Sequence, residues 1–179
     1  MKSILRTAAA GLAIASFGVA SSASAATDAT ANVSAEILSN LSITIDATDN
    51  TMNFGSIAAE NLASGTSTVV LSTSDTAVCG ANLVCSGTPS SPTFNVLGQT
   101  GLRVGITLPA SVTLNRGGVY TGPGSTAMDV GTFVTNRAGN QFIVAAGVNA
   151  FRVGGTLTVN ALQVPGVYTG SLQVAVQYN

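Results

Sequence analysis

Few side chains in this 179-residue chain could do chemistry: two cysteines, seven carboxylates and six basic residues, with no histidine and no tryptophan. Without histidine, the Ser-His-Asp and Cys-His catalytic arrangements and every histidine-ligated metal site are excluded. The single lysine is Lys2, so the glycine-rich stretch Arg116–Gly124 lacks the lysine of a phosphate-binding loop. We therefore expect no catalytic residue, no cofactor and no metal, and a function that comes from architecture.

The carboxylates were the remaining candidates for a metal or hydrolase site. Asp46 and Asp49 could offer oxygen ligands to Ca²⁺, but they lack EF-hand spacing and a distal bidentate glutamate. Aspartate and asparagine after a strand more often bond their own backbone in a turn, which is our prediction for Asp46, Asp49 and Asn50. A glycosidase needs two carboxyl groups across a cleft, and nothing in the pattern pairs Glu36 with Glu60. The sequence therefore predicts a non-enzymatic protein.

The amino terminus has the three parts of a secretory signal peptide. Lys2 and Arg6 give a positive start, Ala8–Val19 is apolar, and Ala23-Ser24-Ala25 fits an A-x-A cleavage site. The apolar run would span roughly 18 Å as a helix, short of a bilayer core of about 30 Å. We expect residues 1–25 to be cleaved and the protein to be exported to the periplasm, cell surface or medium, not integral to a membrane.

Cleavage of the signal peptide would make the net charge of the protein more negative. Four arginines then remain against seven acidic residues, and the net charge moves from −1 to −3. Four scattered arginines cannot neutralise a phosphate backbone, so we expect no nucleic-acid partner. With 46% hydrophobic and 7% charged residues, the composition is opposite to that of a disordered chain. We expect one folded domain over residues 26–179.

Export also bears on the two cysteines. Cys79 and Cys85 enclose five residues, and an oxidising compartment favours a disulfide between them. A redox-active pair would need a C-x-x-C spacing, which is absent. We predict a structural disulfide across the tip of a hairpin.

Alternation of apolar and polar residues dominates the chain after Ala26, and it predicts strands with one buried face. Turn residues separate the strand candidates at intervals typical of a β-sandwich, so the predicted fold is a single all-β antiparallel sandwich. Gly154-Gly155 interrupts one candidate and predicts a bulge or sharp bend. The internal candidates are Met52–Phe54, Thr68–Leu71, Thr93–Leu97, Leu102–Leu108, Val112–Leu114, Ala127–Val134, Gln141–Val144, Phe151–Val153 and Thr156–Val159.

The two ends of the mature chain carry the longest alternating stretches. Ser39-Asn40 divides the first into Ala29–Ile37 and Leu41–Ile45. The detached part, with Val33, Ala35 and Ile37 on one face, could add as a donor strand to the open sheet edge of a neighbour. It could equally pair within its own subunit as a continuation of the first strand. Composition does not separate these two arrangements.

The residues also resemble known exported bacterial proteins. The ending Gly166–Asn179 (GVYTGSLQVAVQYN) looks like the last strand of chaperone–usher pilins. Together with Ala29–Thr44, the NFG of Met52–Ile57 and the GGTLTV of Phe151–Val159, it resembles the domain-of-unknown-function family 4402, which is similar to spore-coat-U-type and other pilin-like domains. The resemblance covers nearly the whole mature chain and implies that the all-β antiparallel sandwich is Ig-like or pilin-like.

The pilin resemblance implies assembly by exchange of strands. A periplasmic chaperone would lend a strand to an incomplete sandwich, and the N-terminal extension of an identical or related subunit would replace it through an usher. Val33, Ala35 and Ile37 would then be donor residues. The acceptor groove and chaperone-recognition edge would be formed by Leu172, Val174, Val176 and Tyr178. Many pilins link the first strand to a nearby strand by a disulfide, whereas Cys79 and Cys85 are close together in sequence.

Two functions therefore remain open. The first is an exported structural protein, a fimbrial or pilin-like subunit that assembles by β-strand addition. The second is a self-contained secreted or surface binding domain of the adhesin type, whose first strand pairs internally and whose loops, such as Arg116–Ser125, carry recognition.

Overall fold

A computed structural model describes residues 30–60 and 62–179 of the chain. The predicted signal peptide (residues 1–25) and Ala29 of the predicted donor strand lie outside the described residues. The chain divides into two units, Met1–Glu36 and Ile37–Asn179. Residues 30–36 of the first unit are exposed and carry no regular secondary structure. All strands of the described chain belong to the second unit.

The described chain is nearly all β, with a single turn of 3₁₀ helix at Ala138–Asn140. Every paired strand is antiparallel to its neighbour, and the predicted all-β sandwich is confirmed. The strands are β1 (Ser42–Ile45), β2 (Ser56–Ala58), β3 (Thr66–Leu71), β4 (Ala77–Cys79), β5 (Val84–Ser86), β6 (Thr93–Leu97), β7 (Arg103–Thr107), β8 (Ser111–Arg116), β9 (Ala127–Thr135), β10 (Gln141–Ile143), β11 (Asn149–Asn160), β12 (Tyr168–Thr169) and β13 (Ala175–Tyr178).

Three sheets form the sandwich. The largest has the order β1-β6-β11-β9-β8-β12, with β3 and β4 branching from β11. A three-stranded sheet, β10-β7-β13, faces it, and β2 pairs only with β5. The first and last strands of the domain, β1 and β13, therefore belong to different sheets.

The long strand β11 organises the interior because its two halves have different partners. Its first half pairs with β6 and its second half with β3, while β9 runs along the other side. Phe151, fully buried in the first half, stacks on Phe94 with ring centroids 5.4 Å apart, and Leu157 in the second half packs with Val69 and Leu71. Two hydrophobic clusters thus meet along one strand.

Gly154-Gly155 marks the boundary between these halves. The pairing of β11 with β9 shifts register between Gly154 and Thr156, which confirms the predicted bulge. The chain nevertheless stays in one strand of twelve residues rather than forming two.

The segment Met52–Phe54 is not the strand that its alternation predicts. Asn53 makes one isolated bridge to Ser90, and its side-chain oxygen accepts a hydrogen bond from the amide of Gly55 at 2.9 Å. Gly55 has φ +81°, a conformation that ends an extended run. The strand begins only at Ser56.

The disulfide also differs from its predicted setting. Cys79 and Cys85 are bonded, as predicted, with Cα atoms 6.1 Å apart. Yet β4, which contains Cys79, pairs with β3, and β5, which contains Cys85, pairs with β2. The bond therefore joins strands of two different sheets instead of closing a hairpin. Sequence reasoning missed both strands because each has only three residues.

Candidate functional site

An apolar groove of about 730 Å³ opens between β1 and the C-terminal segment of the chain. Ile43 and Ile45 line one side, and Leu172 and Val174 line the other. Leu108, just after β7, also contributes. An open apolar cleft between two strand edges is a form that can accept a further strand.

The edge of β1 that borders the groove has no strand partner within residues 30–60 and 62–179. On its other edge the ladder to β6 ends where the amide of Asp46 donates to the carbonyl of Thr93 at 2.9 Å. Successive residues of a strand direct their backbone groups to opposite edges. The amides and carbonyls of Ile43 and Ile45 therefore point toward the groove.

The last strand, β13, presents a second open edge in the described chain. It pairs with β7, and the amide of Asn179 continues that ladder by donating to the carbonyl of Arg103 at 3.0 Å. By the same alternation, Ala175 and Gln177 direct their backbone groups to β7, whereas Val176 and Tyr178 direct theirs away from it. Of β13 only Ala175 lines the groove, next to the unpaired residues 172–174, so the free edge of β13 begins just beyond the groove.

The four residues predicted for the acceptor edge all lie along this segment. Each is partly buried and packs against the cluster that contains Phe94 and Phe151, while the residues between them are exposed. Leu172 and Val174 also line the groove itself. Their predicted role in accepting a strand or a chaperone stays a prediction. The four residues are Leu172, Val174, Val176 and Tyr178.

The C-terminal alternation does not form one continuous strand, because the chain changes sheets. Tyr168 and Thr169 pair with β8 in the large sheet, and Ala175 is the first residue that pairs with β7 in the other. At Gly170 an added Cβ would lie 2.7 Å from the Leu114 side chain and 2.8 Å from the carbonyl of Thr113. Glycine permits the close crossing there, and residues 170–174 remain unpaired beside the groove.

A second cavity, of about 430 Å³, continues from the groove into the sandwich. Ile45, Phe94 and Leu172 line both spaces, and Phe54 and Phe133 lie deeper. A large apolar side chain entering the groove would therefore find space between the sheets as well as on the surface.

The predicted donor residues lie outside any ladder. Residues 30–41 contain no strand, and Val33 and Ile37 are each 95% exposed. Ala35 is exposed as well. Whether this segment pairs within its own subunit or with a neighbour stays a prediction.

Asp46 occupies the turn predicted for it. Its Oδ1 accepts from the amide and hydroxyl of Thr48 at 2.9 and 2.7 Å, and from the amide of Asp49 at 3.3 Å. These bonds, led by the Thr48 amide, lower the pKa of Asp46 well below its usual range. Asn95 of β6 adds a further bond to the other carboxylate oxygen. The carboxylate is thus used to end β1.

Asp75 carries a second polar cluster, which sequence reasoning did not find. Its Oδ1 accepts from the amide of Ser91 at 2.7 Å and from Arg152 of β11 at 2.6 Å. The Ser91 amide is the largest cause that lowers the pKa of Asp75, opposed by partial burial and assisted by Arg152. These residues lie 16 and 77 positions from Asp75 in the chain, so no local motif signals the contact.

The described residues hold no group of three or more histidine, cysteine, aspartate or glutamate side chains placed to bind a metal ion. Over the same residues, no helix has the length and apolar character needed to cross a membrane.

The part of the chain that forms the groove matches a known protein family. A family model described as "Domain of unknown function (DUF4402)" matches residues 43–178, from β1 to Tyr178. The chain belongs to the DUF4402 family. The resemblance seen in the sequence is thereby confirmed at the level of the family. No curated protein and no solved structure gives a significant match. The DUF4402 match includes both borders of the groove and leaves residues 30–42 outside it.

Proposed function

We propose that this DUF4402 protein is a non-enzymatic, exported structural subunit of the pilin type, which assembles by β-strand addition. The observation that carries the proposal is the groove between β1 and the C-terminal segment, bordered by the open edge of β1 and by the unpaired residues 172–174. A strand laid there would connect the large sheet to the segment that leads into β13. It would use the backbone groups of Ile43 and Ile45 on one side and those of residues 172–174 on the other.

The chemistry of the groove indicates the kind of strand that fits. The lining is uncharged and mostly apolar, with isoleucine, leucine and valine side chains beside the polar residues Thr44, Thr107 and Gln173. A matching strand carries apolar residues at every second position, about 7 Å apart along its length. The exposed segment at 30–38 has this pattern, with Val33, Ala35 and Ile37 on one face. The N-terminal segment of another copy, or of a related subunit, is therefore the proposed occupant.

Open edges explain why such a subunit would need help before assembly. Unpaired strand edges beside an apolar cleft are sites of unwanted association in a free monomer. A periplasmic chaperone that lends a strand, followed by transfer at an usher, would cover the same groove until the next subunit arrives. The predicted signal peptide supports this location, and the absence of histidine from the sequence supports a role without catalysis.

The test is to produce the full chain with its own leader in a periplasm and to measure the size of the exported species. The wild type should form polymers or a chaperone-bound subunit. Ile37→Asp, which places a charge on the apolar face of the donor, should abolish polymers. Ser34→Asp, a matched charge on the polar face of the same segment, should leave them intact. A stable, cooperatively folding wild-type monomer would refute the proposal.

A second candidate function, an adhesin-like binding domain, is favoured by two neighbouring surface loops that carry exposed valine side chains. The amide of Gly117 donates to the carbonyl of Val167, and Arg116 donates to the carbonyl of Pro165 at 2.8 Å, so the two loops are held together. Val119 is 94% exposed and Val167 78% exposed. This function predicts a stable monomer that remains monomeric and cooperatively folded when residues 26–39 are deleted.

A further inference from the structure

The residue that joins the N-terminal segment to the domain, Ser39, is held by side chains from two other places in the chain. Its amide and hydroxyl both donate to the side-chain oxygen of Gln99, at 3.2 and 2.7 Å. Its carbonyl accepts from the hydroxyl of Tyr178 at 3.0 Å. That hydroxyl in turn accepts from the amide of Gln99 at 2.6 Å. We call this group of Ser39, Gln99 and Tyr178 the Ser39 clasp.

The clasp fixes the chain at the start of β1. Ser42 pairs with Leu97 of β6, and Gln99 lies two residues beyond Leu97. Ser39, three residues before Ser42, is therefore held where the line of β1 continues past the end of the ladder. Because its amide and its carbonyl both have partners in the clasp, neither is free to pair with the residues that precede it.

In the proposed function, the groove of a subunit can be filled either by its own N-terminal segment or by that of a neighbouring subunit, and the two compete. A donor segment attached to its own acceptor has an effective concentration near millimolar, above that of a neighbouring subunit in dilute solution. If residues 30–37 could fold back as a hairpin onto the open edge of β1, they would fill the groove of their own subunit. The turn of such a hairpin would have to be formed by residues 38–41, and loops of two to five residues are common in hairpins.

We propose that the Ser39 clasp prevents this fold-back and so keeps the segment at 30–38 available to a second copy of the chain. The inference rests on the proposed function, and it makes Tyr178 and Gln99 positioning residues rather than contacts of the donor strand. To form the hairpin, Ser39 would have to leave Gln99 and Tyr178, so the three hydrogen bonds that Ser39 itself makes in the clasp oppose self-capture. The hydroxyl of Tyr178 is the central group because it bonds to both Ser39 and Gln99.

The test compares two variants that open the clasp from different sides. Tyr178→Phe removes the hydroxyl but keeps the ring. Gln99→Met removes the acceptor for Ser39 and keeps the backbone amide that bonds to Tyr178. Tyr178→Phe removes one hydrogen bond to Ser39 and Gln99→Met removes two, and one and two neutral bonds correspond to about fivefold and about thirtyfold changes in an equilibrium. We therefore expect the ratio of exported monomer to polymer to rise about fivefold in Tyr178→Phe and about thirtyfold in Gln99→Met, with the amides of residues 30–38 protected from hydrogen exchange in the monomer.

A matched control separates this effect from a general loss of stability. The hydroxyl of Tyr168 also makes several hydrogen bonds, to Val164, Gln163 and Ser125, but none to the clasp. Tyr168→Phe should lower the unfolding midpoint comparably and leave the monomer-to-polymer ratio unchanged.

The outcomes distinguish the clasp from the function on which it rests. If the wild type polymerises and both clasp variants polymerise equally, with residues 30–38 unprotected in any monomer, the clasp proposal is wrong and the proposed function stands. If the wild type is a stable monomer, the proposed function fails. In that case hydrogen exchange of residues 30–38 still tests the clasp. If their amides are already protected in the wild type, or are unprotected in every variant, the clasp proposal is wrong too. If protection appears only in the variants that open the clasp, the clasp proposal is supported.

Discussion

Two neighbouring glycines in β11 allow the packing of this sandwich to be tested by the same chemical change at consecutive positions. An added Cβ at Gly154 would lie 2.4 Å from the carbonyl oxygen of Leu71 and within 3.2 Å of backbone atoms of Ser72 and Thr73. At Gly155 the nearest atoms, at 3.0–3.2 Å, belong to the side chains of Phe133 and Val130. A side chain can shift by a few tenths of an ångström, but the backbone of a paired strand cannot easily do so.

The magnitudes follow from this difference. Overpacking a filled interior destabilises a protein by about 1–3 kcal/mol. Replacing glycine by alanine at an unstrained position stabilises the folded state by about 0.4–1 kcal/mol, because the unfolded chain then has less conformational entropy. For Gly154→Ala we expect a loss of about 3 kcal/mol, because Leu71 is held in the β3–β11 ladder. For Gly155→Ala we expect a stability within about 1 kcal/mol of wild type. Since domains are stable by about 5–15 kcal/mol, the first variant loses a substantial fraction of the total.

The assay is denaturant unfolding followed by far-ultraviolet circular dichroism, at several protein concentrations so that association is recognised. The two variants should have the same slope with denaturant and different midpoints. Equal losses, or a larger loss for Gly155→Ala, would refute the reasoning that backbone neighbours decide the cost.

Two further predictions concern the disulfide and the acid stability of the domain. Replacing both Cys79 and Cys85 by serine should lower the free energy of unfolding by roughly 2 kcal/mol, the chain-entropy value for so short a loop. A reductant should destabilise the wild type and leave the variant unchanged. Equal stability of the oxidised wild type and the variant would contradict this prediction. Asp75 has a lowered pKa in the folded state, so its contribution is complete at neutral pH and is lost as the pH falls below about 4 toward the folded-state pKa. Asp75→Asn should therefore be less stable than wild type at pH 7 and should lose less stability between pH 5 and pH 2, as measured by thermal unfolding across that range; parallel pH profiles would show that Asp75 is not coupled to folding.

Local pattern predicted those parts of the fold that depend on neighbouring residues. The alternation of Tyr168–Tyr178 correctly identifies Leu172, Val174, Val176 and Tyr178 as the inward face. It could not show that the chain leaves one sheet at Gly170 and joins another at Ala175, because alternation reports the buried face of a strand and not its partner.

The polar contacts divide in the same way into those between neighbours in sequence and those between residues far apart in the chain. The turn after β1 was predicted from the residue types Asp46, Asp49 and Asn50, and Asp46 forms it with Thr48 and Asp49, which are its neighbours in sequence. Asp75 with Arg152, and Tyr178 with Ser39, are separated by 77 and 139 residues. Such pairs are created only when distant strands are placed side by side, so sequence reasoning had no signal for them.

By itself, the sequence determined the all-β class, the bulge at Gly154-Gly155, the disulfide between Cys79 and Cys85 and the membership of the DUF4402 family. The first three follow from residue type and local periodicity, and the family membership follows from the resemblance of its motifs to those of that family; one chain displays all of these without any partner. The tertiary structure decided that the disulfide joins two sheets, that β1 and β13 leave a groove between open edges, and that Ser39 is clasped beside it. The physical reason is that an open edge is defined by what does not pair with it, and pairing is a property of the assembled sheets.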